Sequence, residues 1–140
     1  MREILKITPI ALYFLVGVIS LVMAYKSLFF KKFIPFHEQA AGKSLDNLDM
    51  PLQHVIIALM RVSGLGFLVM ALLMCIFPIV NYFRPDAFVK YAIPAISFLY
   101  CSGLFVANYF LHKQTKAKTP WKGSLAAMLI ILIGIIISSL

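Results

Sequence analysis

Four long apolar runs, separated by short charged segments, dominate this chain. They cover residues 7–25, 62–80, 91–111 and 123–140. Each has about the length an α-helix needs to cross a ~30 Å hydrocarbon core at ~1.5 Å per residue. In lipid, a spanning segment must satisfy its own backbone N–H and C=O groups, so runs of this kind are read as helices. The expected fold is all-α, a four-transmembrane-helix bundle. Residues 1–140 are read as a single integral membrane domain.

Composition supports that class. The chain is 62% hydrophobic, its mean hydropathy is +0.95, and only 13% of it is charged, about half the fraction of a soluble domain. The formal charge of +8 suggests nucleic acid at first. Its distribution argues otherwise, because Lys and Arg collect in the loops and at span ends, where anionic lipid headgroups lie. The partners expected are the bilayer and its anionic headgroups, with a homo-oligomer or a membrane-protein partner as further options.

Cys75 and Cys101 lie in separate spans and form no CxxC motif, so they are read as packing residues and not as a redox pair. With the second span running outward and the third inward, their depths differ by roughly 8 Å at 1.5 Å per residue. That offset alone is too large for a disulfide. The first run resembles a signal peptide in its basic flank and in Val22-Met23-Ala24. It is longer than a usual signal core and is followed by Lys26, Lys31 and Lys32, so it reads as a retained span.

Basic residues near span ends orient membrane helices. Arg2, Lys6, Arg84 and Lys90, four in all, fall on the side of the termini. Nine fall on the side of the first and third loops: Lys26, Lys31, Lys32, Lys43, Arg61, Lys113, Lys116, Lys118 and Lys122. The imbalance places those loops in the cytoplasm and both termini outside. Arg2 and Lys6 pull the first helix the other way.

Local signals refine the picture. Pro9 is expected in the first turn of its helix, where its missing N–H costs little. Ile34-Pro35 ends the element that continues past the first run. Asp49 and Pro51 mark the start of the second membrane helix, well before its lipid-embedded part. Pro78 is expected to kink that helix near its far end. Ser63, Gly64 and Gly66, and the pairs Gly103/Ala107, Gly123/Ala127 and Gly134/Ser138, are candidate faces for close helix packing. Trp121 beside Lys122 reads as an interfacial anchor.

No Asp or Glu lies within a span, which argues against proton-coupled export through a membrane-embedded carboxylate. Polar groups gather instead at the expected cytoplasmic interface. The candidate binding residues are His37 and Glu38 in the first loop, His54 and Arg61 at the start of the second helix, and Asn108 and His112 at the end of the third. His54 and Arg61 share a helix face, as do Asn108 and His112. A basic pocket of this kind suits a phosphate-bearing lipid or a small acidic molecule, with the guanidinium as fixed charge and the imidazoles tuning it. Ordinary headgroup contacts and helix caps are the competing account of the same residues. His54 and His112 as paired haem ligands would lie at span ends rather than within them, and the His/Glu spacing matches no zinc signature. No metal, haem or other cofactor is expected.

Two stretches carry a resemblance. Phe33-Ile-Pro-Phe-His37 followed by Ala58-Leu-Met-Arg-Val-Ser-Gly-Leu-Gly66, and Thr119-Pro-Trp-Lys122, resemble an uncharacterised family of small bacterial four-helix membrane proteins. That resemblance implies a bacterial inner membrane and no particular activity. Leu45-Asp-Asn-Leu-Asp-Met-Pro51 is faintly similar to the first-loop motif of the MAPEG family of glutathione and eicosanoid enzymes, without its arginine-rich part. The functional expectation is therefore a membrane protein binding a lipid, a small anion or a partner at its cytoplasmic interface. The alternatives are an interfacial enzyme acting on a hydrophobic substrate and a structural subunit of a membrane complex.

Overall fold

The computed structural model describes residues 2–30, 32 and 34–139, with side chains from Lys6 onward. Four helices are long and apolar enough to cross a membrane. They are α1 (Arg2–Phe29), α3 (Met50–Phe83), α4 (Ala87–Thr115) and α5 (Trp121–Ser139). A short α2 (Pro35–Ala41) and a single 3-10 turn (Leu45–Asn47) fill the first loop.

The expected all-α bundle is what forms. The helices pack as a ring in the order α1, α3, α4, α5, with α5 closing back onto α1. The α1–α3 seam is the most intimate and the α3–α4 seam the loosest. Glycines set the tight seam. Gly17 of α1 faces Met74 and Cys75 of α3, and Gly64 of α3 faces Leu28 of α1. A later residue of one helix thus meets an earlier residue of the other, so the pair is antiparallel. At the heart of the ring lie Tyr13, Val16, Met70, Met74, Cys101 and Ile131. Outward faces carry exposed Leu, Ile, Val and Phe along each span, the arrangement of a bundle whose solvent is lipid.

Several helix bounds exceed the apolar runs. α3 has 34 residues, ~51 Å at 1.5 Å per residue, against a ~30 Å core. Its first turns therefore stand beyond the hydrocarbon, as the Asp49-Pro51 signal predicts. Asp49 occupies the N-cap position but its side chain makes no capping bond. α1 begins at Arg2, so Pro9 lies inside the helix and not in its first turn, a correction to the sequence reading.

Both cysteines are free thiols. The Cys75 side chain abuts Gly17 of α1, whereas Cys101 lies buried among Met70, Met74 and their neighbours. The small-residue faces divide. Gly64 meets Leu28, Gly66 meets the Tyr100 hydroxyl and Gly134 lies under the Tyr13 ring. Gly103 and Gly123 are exposed and face nothing within 4 Å, so they are not packing faces within the bundle. Gly103, Gly123 and Gly134 share one spacing to a second small residue, but only the neighbouring helix decides which small residue it needs.

Candidate functional site

The end of the bundle that carries both loop 1 and the α4–α5 turn holds the six residues singled out by sequence. His37 is half-buried on α2, its ring edge-on to Phe36 with centroids 4.1 Å apart. Burial pushes its imidazole below the ordinary value of 6.5. Glu38 is exposed on the rim of a shallow crevice shared with Gln39, Lys43 and Asn47. Gln39 ties α2 to the far turn, its Oε1 accepting from the Lys118 N–H at 3.1 Å.

His112 is committed to building that turn, and Asn108 contributes through its backbone. Asn108 Nδ2 donates to the Leu104 carbonyl at 2.9 Å within α4, and the Asn108 main-chain carbonyl accepts from Thr119 Oγ1 at 2.8 Å. His112 Nδ1 lies 2.7 Å from the Ala117 carbonyl. A carbonyl only accepts, so Nδ1 carries the proton. Lys116 ends α4 in the left-handed region at φ 58°, a position that favours glycine. The bonds from His112, Asn108 and Thr115 surround it and hold that conformation. His54 and Arg61 are both exposed on α3. The structure therefore brings α2 against the α4 end, but it gives the His112 ring an architectural partner in the turn and the Asn108 amide one within α4.

The opposite end, where the termini lie, holds the larger concavity. A vestibule of about 820 Å³ opens among all four membrane helices. This is the size of a small-molecule site, typically ~300–1,000 Å³. Prolines shape it. Pro9, Pro78 and Pro94 all line the cavity, one from each of α1, α3 and α4. Proline has no N–H and its ring displaces the preceding turn, so helices diverge or bend where it sits inside them. The carbonyls of Met74 and Lys90, four residues before Pro78 and Pro94, also lose their helical donor.

Polar groups converge on these apolar walls. Lys6 and Lys90 line the cavity with Asn81, Tyr82 and Ser138. Tyr13 lies at its inner end, only 4% exposed. Its ring crosses Gly134, where any side chain would displace it. Its hydroxyl is buried and makes no well-formed hydrogen bond among the described residues; Ser138, one turn past Gly134, is the hydroxyl that interacts with it. Ser97, on the same α4 face as Pro94 and Lys90, is fully buried with its hydroxyl also unpaired. A buried hydroxyl without a well-formed bond is costly, so Tyr13, which lines the cavity, marks a place for a ligand or water.

The α3–α4 corner frames the mouth. Asn81 Oδ1 accepts from the Asp86 N–H at 2.8 Å, and Asp86 Oδ1 caps α4 by accepting from the Val89 N–H at 2.9 Å. Lys90 Nζ sits 5.1 Å from the centre of the Tyr91 ring.

Sequence reasoning missed this site. Three prolines and two lysines toward the same ends of their spans were visible in the chain. That Tyr13 faces inward, and that these residues meet, depends on the ring order of helices. Among the described residues no cluster of three His, Cys, Asp or Glu is arranged to hold a metal. Compared with protein-family models, with curated proteins and with solved structures, the chain matches none, so the geometry itself carries the functional reading.

Proposed function

We propose that this chain is an integral membrane protein of a bacterial inner membrane that binds a small amphipathic molecule in the vestibule between its four helices. Both termini and the vestibule mouth lie on the external side, a reading supported by the nine-to-four imbalance of basic residues. The observation that carries the proposal is the buried Tyr13 hydroxyl at the inner end of a cavity of about 820 Å³, beside Ser138 but without a well-formed hydrogen bond among the described residues. Apolar walls with a few convergent polar groups are the usual make-up of a ligand site. The loose α3–α4 seam gives a route from the surrounding lipid.

A second reading keeps the ligand at the cytoplasmic interface, around His37, Glu38, His54, Arg61, Asn108 and His112. What favours it is the docking of α2 beside the α4–α5 turn. It competes with the bond that ties the His112 ring to the α4–α5 turn.

Native mass spectrometry after mild detergent extraction separates the two. Val89→Trp combined with Ile137→Trp obstructs the vestibule from two of its walls and is expected to lose a co-purifying small molecule, while Arg61→Gln retains it. The reverse pattern supports the cytoplasmic site. Retention of the same bound mass by both variants refutes both readings.

A further inference from the structure

We infer that the vestibule ligand is an anionic amphiphile: a carboxylate or phosphate head on a single apolar chain, with the head held by Lys90. This rests on the vestibule being the binding site. Among the described residues, the charged ones lining the cavity are Lys6 and Lys90, with no Asp or Glu. Lys90 is half-buried, and its ammonium lies over the face of Tyr91. The nearest carboxylate along the chain, Asp86, has one oxygen engaged in capping α4. A partly desolvated ammonium with no carboxylate against it among the described residues is unfavourable at the edge of a membrane core, and a bound anion relieves it.

The depth of the polar groups matches such a molecule. Lys6 and Tyr13 are seven residues apart on α1, and Lys90 and Ser97 are seven apart on α4. Both intervals are ~10 Å at 1.5 Å per residue. Each helix thus sets a cation about two turns from a buried hydroxyl. The cations mark the mouth and the prolines with Phe77 and Ile93 form the apolar wall between. A head at the mouth places the chain along that wall and outward through the α3–α4 seam into lipid.

The test uses the full-length protein in nanodiscs of neutral phosphatidylcholine. Three photoreactive single-chain probes of equal length are compared: a fatty acid, an alkyl phosphate and the corresponding alcohol. The two acidic probes distinguish a carboxylate from a phosphate source. At least one is expected to label peptides covering 77–85 and 89–94 about tenfold more than the alcohol does, the factor for one charge-assisted contact of ~1.4 kcal/mol. Lys90→Gln is expected to reduce that labelling to the level of the alcohol, and Lys90→Arg to preserve it. Equal labelling of these peptides by all three probes overturns the anion inference and leaves the vestibule as a binding site. Labelling no greater than at the lipid-facing Leu99, 73% exposed, overturns the vestibule site as well.

Discussion

Replacing Gly17 with alanine puts a methyl group into the α1–α3 seam, and the neighbours there cannot all give way. An added Cβ collides with the Cys75 sulfur and stands 3.2 Å from both the Cys75 backbone nitrogen and Met74 Cβ. The sulfur can rotate, but the other two atoms move only if α3 moves. Overpacking of this kind costs about 1–3 kcal/mol. The alanine returns up to ~1 kcal/mol of helix propensity. Gly103→Ala is the matched control, because it gains the same propensity and meets nothing within 4 Å. The propensity term cancels in the comparison, leaving Gly17→Ala less stable than Gly103→Ala by about 1–3 kcal/mol. Equilibrium unfolding in mixed detergent micelles, followed by circular dichroism, measures the difference. Adding Cys75→Ala to Gly17→Ala recovers only the share due to the sulfur. Equal stability of the two single variants would refute the account of the seam.

Two further outcomes follow from local geometry. Asp86→Ala is expected to cost about 1 kcal/mol through loss of the cap on Val89. Asp49→Ala costs less in the same micelle unfolding assay, since Asp49 makes no cap bond; an equal loss at both positions would contradict this. The docking of α2 is expected to weaken in acid. Burial lowers the His37 value below 6.5, so above pH 6.5 the histidine is mostly neutral whether α2 is docked or not. As pH falls through 6.5 the undocked state takes up the proton first, and docking is progressively lost. Hydrogen exchange over residues 35–41, corrected for intrinsic rates, reads this between pH 7.5 and 5.5. His37→Phe flattens the response, and greater protection in acid runs against the argument.

The chain alone determined the class of this protein. Four apolar runs of membrane length leave helices as their stable form in lipid, because each helix satisfies its own backbone. Asp49 and Pro51 located the start of α3 for the same local reason: a helix end needs exposed or substituted N–H groups, and both residue types signal one. What the chain could not reveal was which faces meet. Gly64 and Gly103 look alike in sequence, yet one receives Leu28 and the other faces outward. Asn108 and His112 read as ligands because polar groups near membrane stand out, and the structure spends the His112 ring on the turn beside Lys116, at φ 58°, and the Asn108 amide on a carbonyl of its own helix. The vestibule is a property of the ring order itself. Pro9, Pro78, Pro94, Tyr13 and Lys90 come from three helices, and only their packing assembles a cavity with a buried hydroxyl at its inner end. Backbone satisfaction is a local requirement written along the chain, whereas the meeting of side chains from distant segments is decided by tertiary packing.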